Sequence, residues 1–65
     1  MSVDIELDKA GVLVLFTPLT EAGRNWIENN VSDDNQQWYA GSLVCELRYA
    51  FNLAQGMLDD GLELE

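Results

Sequence analysis

A change of hydrophobic period within one short stretch, Ser42 to Leu62, constrains the fold of this chain more than any other feature. Leu43, Cys45, Leu47 and Tyr49 alternate with Val44, Glu46 and Arg48, the period of two that belongs to a strand. A helix is predicted to follow at once, because Ala50, Leu53, Ala54, Met57 and Leu58 recur at spacings of three and four, with Asn52, Gln55 and Asp59 pointing away. Gly61 is placed to end it in the left-handed conformation, and Leu62 to fold back on the last turn. A strand feeding directly into an amphipathic helix calls for a sheet with helices laid on it.

The upstream chain supplies the rest of that sheet. Val3, Ile5 and Leu7 alternate with Asp4, Glu6 and Asp8, predicting a first strand at an edge, its carboxylates discouraging pairing with another chain. Lys9, Ala10 and Gly11 read as the turn of a β-hairpin. Val12 to Phe16 is apolar without alternation, the pattern of a central strand covered on both faces. A helix then begins either at Thr17 with Pro18 in its first turn or at Thr20 followed by Glu21. Its inner face carries Leu19, Ala22, Gly23, Trp26 and Ile27, with Gly23 allowing close approach to the sheet and Arg24 set to pair with Glu21 or Glu28. Val31 to Gly41 has the composition of a loop, with Trp38 and Tyr39 near its end. Leu62 to Glu65 either adds a short last strand or, at Leu64 and Glu65, is a cloning scar.

The expected fold is therefore an α/β (α+β) two-layer domain of order ββαβα, with two helices on a three- to four-stranded sheet. Residues 1–65 form a single domain, since no repeat, low-complexity segment or linker interrupts them. Both helices fall on one side of the sheet if the connections share one hand. The other face is then bare, with an apolar centre drawn from the Val12 to Phe16 run and Val44, and monomers rarely leave such a patch to solvent. A homodimer, or an obligate partner covering that face, is the expectation. A chain of this size also buries only about 60% of its unfolded surface, so association would add needed stability.

Composition narrows the function. The chain has no His and a single cysteine, Cys45, which leaves no internal disulfide, no zinc site of the usual kind and little acid/base chemistry near neutral pH. No enzyme is expected: Ser2, Ser32 and Ser42 have no recognisable activating base, and Cys45 among aliphatics reads as a small core residue with a raised pKa. Asp33 with Asp34, or Asp59 with Asp60, supplies only fragments of a calcium loop, and no phosphate-binding glycine loop occurs, so no cofactor or metal is expected. Three basic residues against twelve acidic ones give a formal charge of -9. That charge opposes direct contact with nucleic acid or anionic membrane and fits a basic protein partner as well as a merely soluble surface. No charged-then-apolar leader is seen and the longest apolar run is too short to span a bilayer, so a cytoplasmic location is expected.

Two features break local rules and mark candidate protein-binding residues. Gly56 lies within the second helix on its polar side, where a better helix former would fit unless something approaches the backbone. Asp59 and Asp60 put negative charge at the helix end that favours cations, and with Glu63 they form an acidic end able to meet a basic surface. Trp38 and Tyr39 are candidates of a different kind, either binding anchors or a lid on the core. Across Leu43 to Leu62, including Arg48, Tyr49, Gly56, Met57, Asp60 and Gly61, and around Thr20, Trp26 and Ile27, the chain resembles small acidic proteins of phage, prophage and mobile-element type without an assigned function. That resemblance carries no catalytic or binding residues; it implies a context in which an acidic protein mimics the charge of DNA toward a host protein. The first expectation remains a self-associating interaction module, with DNA mimicry as the alternative.

Overall fold

The computed structural model describes residues 2–32 and 36–65. Its elements are β1 (Ile5–Ala10), β2 (Leu13–Pro18), α1 (Glu21–Asn30), β3 (Trp38–Tyr39), β4 (Ser42–Glu46) and α2 (Leu47–Asp59). The strands form one antiparallel sheet in the order β1-β2-β4-β3. With two helices on that sheet, the chain is a small α+β fold, as the periodicities predict.

Two tight hairpins set the register. Gly11 and Val12 join Ala10 to Leu13, and Gly11 takes φ +63° while Val12 stays in the ordinary region, the requirement of a type II′ turn. Tyr39 pairs with Ser42 across Ala40 and Gly41, whose φ angles of +50° and +83° are both positive, as a type I′ turn demands. Trp38 and Tyr39 thus belong to a short strand rather than to the loop expected of them, because this turn folds them back onto β4. The first turn likewise moves Val12 out of the central strand, where it is 76% exposed.

Alternation divides the sheet into two faces. Ile5, Val14, Phe16 and Leu43 point to the helical side, where they meet Ile27, Ala50 and Met57 in the buried core. Leu7, Trp26, Cys45, Leu53, Ala54, Leu62 and Leu64 pack around it. Each fully buried side chain of this size contributes about 1.5–3 kcal/mol.

The ends of the helices are fixed by identifiable groups. Thr20, not Thr17, caps α1, its hydroxyl accepting from the Gly23 amide at 3.1 Å. Gly23 is buried against β1: a Cβ there would lie 2.5 Å from the Asp4 carbonyl oxygen and 2.9 Å from Ile5 Cγ1. Arg24 forms no ion pair with Glu21 or Glu28; among the described residues the pair is Arg48–Glu46 at 3.6 Å, on the surface. α2 begins at Leu47, so Leu47, Arg48 and Tyr49 form its first turn and not the end of the strand. Beyond Glu46 the sheet offers no further partner, since β2 starts opposite it at Leu13 and the Leu47 amide donates to the Val12 carbonyl in the turn. At the other end Gly61, at φ +90°, donates to the Leu58 carbonyl and Leu62 to that of Met57, the two bonds of a Schellman motif.

The C-terminal segment runs alongside the first residues of β1. Leu64 bridges Ile5 in parallel, and backbone bonds run from Asp4 and Ile5 to the Glu63 carbonyl, from Leu7 to that of Glu65, and from Glu65 back to Ile5. β1 is thus the edge strand of the sheet, as its alternation predicts, with its first residues, Ile5 to Leu7, flanked by this segment. No helix among the described residues is long and apolar enough to cross a membrane.

Candidate interaction surface

The face of the sheet turned away from the helices carries no helix among the described residues. Cross-strand register arranges it in rows. Glu6 stands opposite Thr17, the Thr17 and Ser42 hydroxyls lie 2.6 Å apart, and Ser42 pairs with Tyr39, so one row runs Glu6, Thr17, Ser42, Tyr39. The next row runs Asp8, Leu15, Val44, and the third Ala10, Leu13, Glu46. The centre is thus aliphatic, one margin acidic and the opposite margin aromatic.

None of the outward-facing residues belongs to the core cluster. Leu15 and Val44 are half-buried, Leu13 is 37% exposed, and Tyr39 is 70% exposed. The bare face with an apolar centre foreseen from the sequence is present, although Val12 joins it only as an exposed turn residue.

The acidic margin is wider than β1. Leu64 packs against the core beside Ile5, which brings the chain at Glu63 and Glu65 alongside Asp4 to Leu7. Asp4 is held within the fold: its carboxylate accepts from the Thr20 hydroxyl at 2.6 Å and from the Glu63 amide at 2.9 Å. Those bonds, the Thr20 one foremost, keep its pKa below the ordinary aspartate value.

The other singled-out residues are drawn into structural roles. A Cβ at Gly56 would sit 3.2 Å from Cζ2 of Trp26, so the group that approaches the α2 backbone is the indole ring from α1. The same ring donates from Nε1 to Asp60 Oδ2 at 2.6 Å. Gly56 is consequently half-buried beneath Trp26 rather than on a polar face, and the helix-end carboxylate at Asp60 has a partner. Asp59 accepts from Gln55 at 3.1 Å. Glu63 uses its backbone to fasten the C-terminal segment to Asp4 and Ile5. This clasp between Trp26, Gly56 and Asp60 escaped the sequence reading, although a tryptophan on one helix and an unexplained glycine on the other were its available signal.

Trp38 falls on the helical side of β3, opposite Leu43, and is 41% exposed, with its indole donating to Gln36 at 3.0 Å. Tyr39 points the other way, onto the open face. The structure therefore separates the two aromatics and joins Tyr39, but not Trp38, to the rows described above.

On the helical side an open groove of about 690 Å³ runs between α1 and α2, lined by Trp26, Val31, Leu43, Cys45, Tyr49 and Leu53 among others. Burial, with a smaller push from the Glu46 carboxylate, raises the Cys45 pKa and so disfavours the reactive thiolate. Among the described residues no three His, Cys, Asp or Glu side chains converge as metal ligands, and no buried side-chain nitrogen or oxygen lacks a partner. Asp33 and Asp34 lie outside the described residues. Comparison with protein-family models, curated proteins and solved structures gives no significant match. The functional reading therefore rests on the chain's own residues.

Proposed function

We propose that this protein is a non-enzymatic interaction module that self-associates through the open face of its sheet. The observation that carries this reading is the aliphatic centre formed by Leu13, Leu15 and Val44, over which none of the described elements packs. Burying it between two copies removes apolar area from water, and the rim residues set the geometry. The face is small. Four strands about 4.8 Å apart and five residues at about 3.3 Å each give about 300 Å² of projected area per copy. A stable interface buries about 800 Å² of accessible surface per partner, so a face of this size supports only weak association.

Charge gives the reading a distinctive salt dependence. Two chains each of formal charge -9 repel one another, and salt screens that repulsion. Self-association should therefore strengthen with ionic strength. Light scattering at high micromolar concentration, in low and then high salt, tests this: a dimer favoured by salt supports the reading, and a monomer in both overturns it.

A second reading is favoured by the acidic margin. Glu6 and Asp8 on the outer face of β1, with the chain at Glu63 and Glu65 running beside its start, gather carboxylates of the kind a DNA mimic would need to meet a basic nucleic-acid-binding protein. The resemblance to phage and mobile-element proteins fits that context, as does a location inside the cell. Its signature is the opposite one: capture of a basic protein that weakens steeply with salt.

A further inference from the structure

We infer that the segment Glu63 to Glu65 is a strap that the Asp4 carboxylate latches onto the outer edge of β1, and that it opens on its own, without the sheet or α1. In the β1–β2 hairpin Ala10 faces Leu13 across a two-residue turn, so Ala10, Asp8 and Glu6 turn their backbone groups to β2, and Ile5 and Leu7 turn theirs outward. The strap takes those outward groups. The Ile5 amide donates to the Glu63 carbonyl at 3.1 Å and the Leu7 amide to that of Glu65 at 2.8 Å, while the Glu65 amide donates to the Ile5 carbonyl at 3.1 Å. Leu64, between them, bridges Ile5 in parallel and packs against the core.

One side chain fastens this pairing. Asp4 Oδ2 accepts from the Glu63 amide at 2.9 Å while Oδ1 accepts from the Thr20 hydroxyl at 2.6 Å. The Asp4 amide donates to the Glu63 carbonyl at 2.9 Å, so both backbone groups of Glu63 close on one residue. A carboxylate holding a backbone amide makes a charge-assisted bond, stronger than the neutral bonds around it. The near end of the strap is fixed, because the Schellman bonds tie Gly61 to Leu58 and Leu62 to Met57, and the hinge therefore lies between Leu62 and Glu63. Beyond that hinge Leu64 supplies the apolar burial, and it is only half-buried, whereas Ile5, Phe16 and Leu43 are closed in the core. Segments with so little buried apolar surface open before the rest of a fold. Opening breaks no bond between β1 and β2 and leaves the Thr20 cap on α1 in place. It bares the outward groups of Ile5 and Leu7, so the edge of β1 is conditional: covered while Asp4 holds Glu63, unpaired when it lets go.

Native-state hydrogen exchange of the full chain, followed by NMR at neutral pH, tests this. Relative to their intrinsic rates, the amides of Ile5, Leu7, Glu63 and Glu65 should exchange at least about tenfold faster than the ladder amides of β2 and β4. Asp4→Ala should speed those four by about tenfold more, through loss of the charge-assisted bond. Val14→Ala, a core truncation on β2, should speed the β2 and β4 amides by about tenfold and leave the four unchanged, because a local opening does not feel the stability of the whole. The first comparison needs only the parent chain. Four amides as well protected as those of β2 and β4, or sped in step with them by Val14→Ala, open only with the whole fold and overturn the strap. Four amides that Asp4→Ala leaves unchanged overturn the latch.

Discussion

Two helical glycines, Gly23 in the first turn of α1 and Gly56 inside α2, allow one substitution to be compared in two environments. In isolation, Gly→Ala in a helix interior is favourable by about 1 kcal/mol. At Gly23 the added Cβ would meet the Asp4 carbonyl oxygen at 2.5 Å, a backbone atom already bonded to the Leu19 amide at 2.8 Å and flanked by the Thr20 cap. It cannot yield without parting α1 from β1. Overpacking of this kind costs about 1–3 kcal/mol, and a backbone obstacle puts Gly23→Ala toward the upper end. After the propensity gain, a net loss of about 1–2 kcal/mol remains, equivalent to a fall in Tm of about 5–15 °C for a chain this size. At Gly56 the obstacle is the Trp26 ring at 3.2 Å, a side chain able to shift by a few tenths of an ångström. Gly56→Ala should therefore stay within about 0.5 kcal/mol of the parent, and become stabilising by about 1 kcal/mol in a Trp26→Leu background. Urea denaturation of these variants and their parents at one fixed concentration checks this, since association would otherwise shift the midpoints. Equal effects of alanine at the two glycines would refute the packing argument for both.

Three further outcomes follow from single contacts. Ala40 holds φ +50° in the β3–β4 turn, a conformation that disfavours an ordinary residue, so Ala40→Asn should raise stability by about 0.5–1 kcal/mol in thermal melts. Trp26→Phe removes the bond to Asp60 and should cost about 1 kcal/mol, with Asp60→Ala adding nothing further in the Trp26→Phe background if the two residues act as one contact. Asp4 has a folded pKa below its unfolded one, so its stabilising contribution is complete above the ordinary aspartate range and lost as pH falls through the folded value. Urea midpoints of the parent and of Asp4→Asn should accordingly converge on acidification, and a constant gap between them would contradict the assignment.

The parts of the fold legible in the sequence are those written in a single local pattern. Gly61 with Leu62 announced the end of α2 because the Schellman motif needs little beyond its own few residues, and Gly23 announced a close approach because its neighbours in the helical period are apolar. The misreadings arose where local pattern and tertiary context compete. Leu47 and Tyr49 continue the alternation of β4 but are also spaced to open a helix, and the absence of a strand opposite them decided the matter. Trp38 and Tyr39 sit in a polar stretch, yet the turn at Ala40 and Gly41 folds them onto β4. The candidate surface was half legible: the unbroken apolar run Val12 to Phe16, with Val44, foretold the aliphatic centre, but only the strand order places Tyr39 on the margin opposite Glu6, and only the parallel bridge at Leu64 brings Glu63 and Glu65 to the acidic side. Gly56 and Asp60 stood out as local anomalies, and the partner that accounts for them, Trp26, is about thirty residues away in the chain.

Self-association through the open face is tested most directly by sedimentation equilibrium of the parent chain beside Leu15→Glu, at high micromolar concentration in high salt. The parent mass should rise with concentration from 7.3 kDa toward twice that value, while the Leu15→Glu chain stays monomeric with an unchanged circular dichroism spectrum. A parent that remains monomeric, or a Leu15→Glu chain that associates equally well, would contradict it.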